Sequence, residues 1–282
     1  MKKILITGQN SYIGNKFAEW VSQWPDEYQI TKISVRNDDW KDQNWEIYDV
    51  VLNVAGIAHQ RITKENESDY YKVNRDLAIN LANKAKNDGV KHFIQISTMS
   101  VFGIDKGTID KNTPRNPINA YGKSKLLADE YINKLNNIYF TVSIIRPPMV
   151  YGPESPGNYA RLSSIAKKSP IFPQISNKRS MIYINNLSNL IKKIIERKIP
   201  GIFHPQNSDY VNTSELVKEI TKTSNKKILL IDMSFILNPF IKKIDILNKV
   251  FGDLIYDQRL SDLNLEYNVT DFKKSVTETE MR

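Results

Sequence analysis

Tyr121 and Lys125 are the residues whose types and spacing suggest chemistry most directly. They lie in a segment with apolar residues at helical spacing, 119–136, and residues four apart share one face of a helix. A free tyrosine has a pKa of about 10, and a neighbouring cation lowers that pKa because it stabilises the phenolate. The pair is therefore predicted to exchange a proton with a substrate hydroxyl or carbonyl.

Thr98 and Asn74 are polar residues that the predicted elements bring toward the same chemistry. Thr98 follows a buried strand at its carboxyl end, where open α/β sheets bind their ligands. Its hydroxyl is expected to hydrogen-bond the substrate oxygen that Tyr121 protonates. Asn74 lies in a predicted helix and is expected to tie the loop 55–59 to a cofactor. The small residues of that loop let the backbone approach a ligand closely.

The beginning of the chain is typical of a phosphate-binding unit. A predicted buried strand runs into a turn that carries Gly8 and Gly14, and a predicted helix follows. Backbone N–H groups at such a helix N-terminus bind a pyrophosphate. Ser11 stands where the usual fingerprint has its middle glycine. Its Cβ crowds the pyrophosphate, whereas its hydroxyl can donate a hydrogen bond.

Arg36 bears on the choice between the two nicotinamide cofactors. It follows the second predicted strand and is itself followed by Asn37. A site that prefers NAD usually has an acidic residue there, which binds the ribose 2′-hydroxyl. A guanidinium matches a 2′-phosphate instead. We therefore predict a preference for NADP(H), with NAD(H) as the alternative.

Alternating strands and helices must position these residues. The predicted strands are 2–7, 29–35, 49–54, 91–97 and 140–145, and the predicted helices are 13–23, 68–86, 119–136, 185–197 and one opened by a capping box at 212–215. This order predicts an α/β fold with a doubly wound parallel sheet, the Rossmann arrangement, over residues 1–150. A smaller mixed lobe over 151–282 is predicted to bind the substrate, with the chain able to cross back between the two.

The segment 234–252 is rich in Ile, Leu and Phe with interspersed lysines. We interpret it as a helix packed on the substrate lobe, because Asn238 and Pro239 interrupt it. A membrane-surface helix is the alternative.

Composition excludes several classes of function. The chain has 282 residues, of which 40% are hydrophobic and 25% charged, as in soluble globular proteins. It has no cysteine, which excludes disulfides and thiolate metal sites and is consistent with a reducing cytoplasm. His59, His92 and His204 are scattered without metal-ligand spacing.

Charge and hydropathy argue against a nucleic-acid partner and against a membrane segment. The net charge of +9 is spread along the chain, without a nucleic-acid motif, so we expect no nucleic-acid partner. No segment approaches the roughly 20 apolar residues of a membrane span, and the first apolar run is too short for a signal peptide. We therefore expect neither membrane insertion nor secretion.

Taken together, these motifs resemble one family over nearly the whole chain. The matching segments are Thr7-Gly8 with Tyr12-Ile13-Gly14, Asn53-Val54-Ala55-Gly56, Asn74, Ser97-Thr98 with Phe102-Gly103, Tyr121 with Lys125, and Arg146-Pro147 with Val150-Tyr151-Gly152. They resemble the extended short-chain dehydrogenase/reductases, the NAD(P)-dependent epimerase/dehydratase group that acts on nucleotide sugars. The resemblance implies a homodimer that pairs the helices 68–86 and 119–136.

The resemblance also implies a set of site residues. The catalytic residues would be Thr98, Tyr121 and Lys125, with Lys125 lowering the pKa of Tyr121 and holding the ribose. The cofactor-binding residues would be Gly8, Ser11, Tyr12, Ile13, Gly14, Arg36, Asn37, Val54, Ala55, Gly56, Asn74, Tyr121, Lys125 and Pro148.

The second half of the chain is similar to a narrower group, the capsule-polysaccharide reductases. The similar segments are Pro156-Gly157-Asn158-Tyr159 with Arg161-Leu162, Asn177-Lys178-Arg179-Ser180 with Tyr183-Ile184, Gly201-Ile202-Phe203-His204-Pro205-Gln206, and Phe251-Gly252-Asp253-Leu254-Ile255-Tyr256. Those enzymes act on UDP-linked 4-keto-6-deoxy-N-acetylhexosamines. The similarity implies that Arg179 meets the nucleotide diphosphate and Asn158 the sugar nucleotide. The full implied substrate set is Thr98, Met149, Asn158, Arg161 and Arg179.

Three functions remain open from the sequence. The first is reduction of a UDP-linked 4-keto sugar by NADPH in surface polysaccharide synthesis. The second is a nucleotide-sugar 4-epimerase that keeps its NAD bound. The third is a dinucleotide-sensing regulator without turnover, against which the presence of Thr98, Tyr121 and Lys125 argues.

Overall fold

A computed structural model describes residues 1–58, 60–236 and 245–281. His59 and the predicted interruption at Asn238 and Pro239 lie outside the described residues. The chain divides into two compact units that each combine several segments. Unit 1 comprises Met1–Gly103, Pro114–Pro147 and Leu187–His204, and unit 2 comprises Ile104–Thr113, Pro148–Asn186 and Pro205–Arg282.

Within the described residues, unit 1 is built on a sheet of six parallel strands. The strands are β1 (Lys2–Thr7), β2 (Tyr28–Ile33), β3 (Val50–Asn53), β4 (His92–Ile96), β6 (Thr141–Ile145) and β10 (Gly201–Phe203), numbered with those of unit 2 in chain order. They lie in the order β2-β1-β3-β4-β6-β10. The predicted doubly wound parallel sheet is confirmed. Its order reverses between β1 and β3, the place where such sheets bind ligands beyond their carboxyl ends.

The helices of the described chain alternate with these strands and continue into unit 2. They are α1 (Tyr12–Val21), α2 (Glu67–Tyr70), α3 (Ala78–Asn87), α4 (Ala120–Lys134), α5 (Asn158–Lys168), α6 (Ile184–Arg197), α7 (Thr213–Thr223), α8 (Asp245–Phe251), α9 (Gln258–Ser261) and α10 (Phe272–Glu280). Between β2 and β3 there is a short 3-10 helix, Asp39–Lys41. The described connection contains no full crossover helix.

Apolar side chains on one face of the sheet form a core cluster of unit 1. Leu5, Val51, Phe93 and Val142 come from four neighbouring strands and are fully buried. Helices cover them with small and branched residues, which are Ala78, Leu81, Ala82, Ala85, Ala128 and Ile132. The near-continuous burial of β3, β4 and β6 is what a parallel sheet covered on both faces requires.

Two elements differ from their predicted form. Strand β2 ends at Ile33 instead of residue 35, because the Ile33 carbonyl accepts the N–H groups of both Gly8 and Gln9 and so ends the ladder. The helix predicted over 68–86 contains a π-helical stretch, Tyr71–Leu77, between α2 and α3. Wide turns of this kind occur frequently at functional sites.

Within its described part, unit 2 combines helices with three two-stranded parallel sheets. These pair β5 (Gly107–Ile109) with β12 (Leu254–Tyr256), β7 (Met149–Tyr151) with β9 (Met181–Tyr183), and β8 (Ile171–Gln174) with β11 (Leu229–Asp232). The predicted cap of α7 is present, since Asn212 Oδ1 accepts the N–H groups of Ser214 (2.9 Å) and Glu215 (3.0 Å). Unit 2 includes residues 104–113, which precede the predicted boundary after residue 150, whereas residues 187–204, which follow that boundary, belong to unit 1.

Candidate active site

Helix α4 starts close to the loop that follows β4. Asn119 caps the helix, accepting the Gly122 N–H at 2.9 Å. A Cβ on Gly122 would lie 2.6 Å from the Ser100 carbonyl oxygen, so only glycine allows this approach. The close packing places Tyr121, in the first turn, beside Thr98, whose side-chain hydrogen bond favours the Tyr121 phenolate.

Lys125 lies one turn further along α4 and is buried. Its Nζ donates a hydrogen bond to the carbonyl oxygen of Ile96, the last residue of β4, at 2.9 Å. Burial lowers the pKa of Lys125 to about 8, and the charge of Asp129 opposes this shift. Lys125 is thus fixed at the carboxyl end of a central strand. Its ammonium group loses a proton at a lower pH than that of an ordinary lysine.

Tyr121 is partly buried and lies edge-on to Tyr70, with ring centroids 6.3 Å apart. Burial raises its pKa, and the hydrogen bond from Thr98 opposes that rise. The expected lowering of the Tyr121 pKa by Lys125 is therefore wrong for this arrangement. Desolvation of the phenolate outweighs the neighbouring groups, and the Lys125 ammonium is already bonded to Ile96. Tyr121 is a neutral phenol near neutral pH, which is the form that donates a proton.

An ion pair that the sequence reading missed lies behind Lys125. Arg146 Nε donates to Asp129 Oδ2 at 2.9 Å, and Ser97 Oγ donates to the same oxygen at 2.7 Å. Both charged side chains are almost fully buried. Burial raises the pKa of Asp129, while Arg146 gives the largest opposing effect. The signal was available, since Asp129 follows Lys125 by four residues and so shares its helical face.

Two glycines hold the backbone close around the switch point of the sheet. Gly8 has a φ of +95°, and a Cβ there would lie 3.1 Å from the Ala55 backbone. A Cβ on Gly14 would lie 2.9 Å from Ile6 Cγ2 and 3.0 Å from Val54 Cγ2. Larger residues would therefore separate the turn after β1 from the loop after β3.

Ser11 completes this turn in a way that the sequence reading did not expect. It is the N-cap of α1, and its Oγ accepts the Gly14 N–H at 3.4 Å. Tyr12 and Ile13 form the first turn of the helix, where N–H groups bind phosphates well. The Ser11 hydroxyl can still donate its hydrogen to a phosphate. Anion binding by the helix N–H groups and anion binding by this hydroxyl are therefore both compatible with the turn.

Asn74 connects the loop after β3 to the π-helical stretch. It is fully buried; its Oδ1 accepts the Ile57 N–H at 2.8 Å and its Nδ2 donates to the Ile57 carbonyl at 3.0 Å. A Cβ on Gly56 would lie 2.9 Å from Asn74 Oδ1 and 3.2 Å from Lys125 Nζ. Gly56, Asn74 and Lys125 therefore lie next to one another.

Arg36 and Asn37 lie on the surface of unit 1 beyond the end of β2. Both are exposed, and Asn37 Nδ2 donates to Asp39. The Arg36 guanidinium makes no ion pair with the described residues. It is available to an anionic ligand.

Of the predicted substrate residues, Thr98 lies in unit 1 and the other four lie in unit 2. Asn158 and Arg161 are exposed on α5, and Met149 is half-buried on β7. Arg179 is partly buried, and its Nη1 donates to the carbonyl oxygens of Gly252 (2.8 Å) and Asn248 (3.4 Å). Burial lowers the pKa of Arg179, which Asp253 opposes. Pro148, predicted to contact the cofactor, is also in unit 2 and is buried.

Two expected absences concern the described residues only. No group of His, Asp and Glu side chains in 1–58, 60–236 and 245–281 could hold a metal ion. In the same part of the chain no helix has the length and apolar character needed to span a bilayer.

A family model and two curated relatives match this sequence. The sequence model of the NAD dependent epimerase/dehydratase family matches residues 4–204. The chain is 31% identical over 258 residues to UDP-glucose 4-epimerase of Vibrio cholerae, covering 80% of this chain and 76% of that protein. It is 30% identical over 244 residues to N-acetyl-alpha-D-glucosaminyl-diphospho-ditrans,octacis-undecaprenol 4-epimerase of Escherichia coli O157:H7, covering 80% of this chain and 73% of that protein.

A solved structure shares the fold over the whole chain. It is dTDP-4-dehydrorhamnose reductase of Bacillus anthracis str. Ames in complex with NADP, with a TM-score of 0.76, 21% identity, and coverage of 100% of this chain and 99% of that chain. The protein belongs to the NAD dependent epimerase/dehydratase family. It is an enzyme that uses a nicotinamide dinucleotide, and the glycine turn, the first turn of α1 and the meeting of Gly56, Asn74 and Lys125 fit that cofactor.

Proposed function

We propose that this enzyme reduces the C4 carbonyl of a UDP-linked 4-keto-6-deoxy-N-acetylhexosamine with NADPH, in the synthesis of a surface polysaccharide. The observation that carries the proposal is the grouping of Thr98, Tyr121 and Lys125 at the carboxyl end of β4, with Tyr121 as a neutral phenol. A carbonyl that accepts a hydride at carbon needs a proton at oxygen, and a buried neutral tyrosine is a suitable donor.

The roles of the side chains follow from their positions. A bound nicotinamide cofactor would supply the hydride for C4. Tyr121 Oη gives its proton to the C4 oxygen, which becomes the hydroxyl of the product. Thr98 orients that oxygen by a hydrogen bond, and its side-chain hydrogen bond favours the phenolate left on Tyr121 until a proton returns from solvent. Lys125 would hold the ribose of the cofactor.

Arg36 supports NADPH over NADH. Its exposed guanidinium follows β2 and would pair with a 2′-phosphate, a charge-assisted contact worth about 1.5–3 kcal/mol. The corresponding preference for NADPH is about tenfold or more. We expect Arg36→Asp to reverse it, measured as the ratio of kcat/KM for the two cofactors. Lys64→Asp, which removes another exposed cation of unit 1, is the matched control. An unchanged ratio in Arg36→Asp would exclude Arg36 from cofactor choice.

Recognition of the substrate falls to unit 2 in this proposal. Asn158, Arg161 and Met149 would contact the sugar nucleotide, and Arg179 its diphosphate. Both relatives described above have names in which a hexose is joined through a diphosphate. A guanidinium is the side chain best matched to that group.

A NADPH-dependent assay tests the proposal. The purified protein is mixed with UDP-4-keto-6-deoxy-N-acetylhexosamine, and NADPH absorbance is followed. We expect loss of one NADPH for each product formed. No loss of NADPH with this substrate or its C5 epimer would overturn the reductase.

The second candidate is a 4-epimerase, which the names of the two relatives at 30% and 31% identity favour. An epimerase returns the hydride to the same sugar and gains from holding its NAD. Analysis of nucleotide released on denaturation separates the two. Stoichiometric NAD, together with sugar interconversion and no net use of NADPH, would establish the epimerase.

We also propose a homodimer through α3 and α4. Leu127 and Tyr131 are exposed on α4, and the Tyr131 hydroxyl contacts Asn83 of α3 at 3.2 Å. An exposed apolar pair on a helix adjacent to a second helix suits a two-fold interface. Light scattering of the wild type and of Leu127→Glu tests it; a monomeric wild type would exclude the dimer.

A further inference from the structure

The small sheet of β8 and β11 in unit 2 is apolar on both faces. The two strands are parallel, with Leu229 opposite Ile171 and Ile231 opposite Pro173. Alternate residues of a strand point to opposite faces, so these four share one face. The other face carries Phe172, which is buried against Phe251 with ring centroids 5.6 Å apart. One face therefore belongs to the core of unit 2, and the other does not.

The second face is exposed despite its apolar side chains. Ile171 is 52% exposed, Leu229 61% and Ile231 40%. Sheets with one solvated face normally carry polar residues there. The chain just after β11 adds two more exposed apolar side chains, Phe235 at 95% and Ile236 at 58%. Contiguous apolar groups of this kind mark a surface that binds something. We call Ile171, Pro173, Leu229 and Ile231 the apolar face.

Lysines border the apolar face at one edge. Lys167 and Lys168 precede β8, and Lys226 and Lys227 precede β11. Because the strands are parallel and in register, both pairs lie at the same end of the sheet. A hydrogen bond from Lys226 Nζ to the Lys167 carbonyl oxygen (2.6 Å) joins them.

Three of these lysines carry exposed, uncompensated charge. Lys167 pairs with Glu280 at 2.5 Å, whereas Lys168, Lys226 and Lys227 are exposed and make no ion pair with the described residues. Asp232 lies at the opposite end of β11. The face is therefore apolar in its middle and positive along one edge.

We propose that the apolar face and its lysine edge dock this enzyme on an anionic phospholipid surface. Apolar side chains flanked by lysines enter the boundary between headgroups and acyl chains, and the lysines attract anionic headgroups. A protein partner would need an apolar patch with acidic groups along only one of its edges. An anionic bilayer offers acyl chains and anionic headgroups at every point of its surface. Such binding is peripheral and reversible, and it weakens with salt. It is independent of the reaction that the enzyme performs.

Sedimentation with lipid vesicles tests the proposal on the full chain. The vesicles are phosphatidylcholine alone, or phosphatidylcholine and phosphatidylglycerol in equal parts. We expect the wild type to sediment with the mixed vesicles at low salt and much less with the neutral ones or at high salt. The double variants Leu229→Ser with Ile231→Ser, and Lys226→Glu with Lys227→Glu, should each lower the affinity for mixed vesicles about tenfold or more.

Matched controls separate the face from general surface changes. Ile138→Ser removes an exposed apolar residue of unit 1, and Lys106→Glu with Lys111→Glu reverses exposed charge elsewhere in unit 2. Both should bind vesicles like the wild type. Thermal unfolding checks that the face variants are folded, which their exposed positions predict.

Two results would overturn the proposal. One is a wild type that does not bind mixed vesicles at low salt. The other is vesicle binding that the face variants retain at the wild-type level. If those variants also change the oligomeric state, the apolar face joins two copies of the chain.

Discussion

The two units hold their candidate residues in different ways. In unit 1, Lys125 is buried and hydrogen-bonded to the end of β4, and Tyr121 is packed beside Thr98 and Tyr70. In unit 2, Asn158 and Arg161 are exposed on a helix. Groups that transfer protons need fixed positions, which the ends of buried strands supply. Residues that determine substrate specificity generally vary within a family, so the shared sheet fixes their positions less strictly.

Tyr121→Phe should give the largest effect and tests the chemistry of unit 1. Removing the proton donor is expected to lower kcat by about 10²–10⁴-fold while NADPH binding, measured by fluorescence, is retained. Tyr131→Phe is the control, because Tyr131 is an exposed tyrosine of the same helix. A near-normal kcat in Tyr121→Phe would contradict its role as the acid.

Asp129→Asn tests whether the buried ion pair supports that chemistry. It leaves the Arg146 guanidinium buried without its carboxylate, which should cost about 3–5 kcal/mol of unfolding free energy in urea titrations. Glu130→Gln, exposed on the same helix, should cost little. The variant also removes the charge that raises the Lys125 pKa. The basic limb of the kcat profile should therefore move to lower pH, which a purely structural role would not cause.

Lys125→Met tests the cost of burying an ammonium group. Burial takes the Lys125 pKa from 10.5 to about 8. Between these values the unfolded chain binds more protons than the folded one, so the wild type gains stability as pH rises across the range. The gain is up to roughly 3 kcal/mol and should be absent in the variant. Lys123→Met controls for loss of an exposed lysine from the same helix. Parallel stability curves for wild type and Lys125→Met would refute the shift.

Arg179→Ala should give the smallest effect and tests unit 2. Losing a guanidinium–phosphate contact is expected to raise KM for the nucleotide sugar about tenfold, with KM for NADPH unchanged. Arg259→Ala, which removes a more exposed arginine of unit 2, is the control. An unchanged KM for the nucleotide sugar would exclude Arg179 from diphosphate binding. Its role would then be structural, through hydrogen bonds to the Asn248 and Gly252 carbonyl oxygens.

Much of unit 1 could be predicted because its signals are local. The first strand matches residues 2–7, and Gly8, with its positive φ, marks the turn that follows. Strand β2 was predicted too long because its end depends on two N–H groups from the turn after β1, which are distant in sequence. The π-helical stretch around Asn74 was also missed, since apolar periodicity cannot separate it from an α-helix.

The ion pair of Asp129 and Arg146 shows a different limit. The spacing of four residues places Asp129 on the helical face of Lys125. The sequence does not show that Asp129 is buried, because its burial depends on how closely α4 approaches β4 and β6. The apolar face of unit 2 was missed for a similar reason. Strand β11 has no alternation of apolar and polar residues, so its sequence does not reveal which face is exposed.

Transfer of deuterium tests the central claim most directly. NADPH carrying deuterium at the transferred position of its nicotinamide is mixed with the enzyme and UDP-4-keto-6-deoxy-N-acetylhexosamine, and the product is analysed by NMR. The account predicts one deuterium at C4 for each NADPH consumed, and none with Tyr121→Phe. Product without deuterium, formed while NADPH remains and NAD stays bound to the protein, would contradict it.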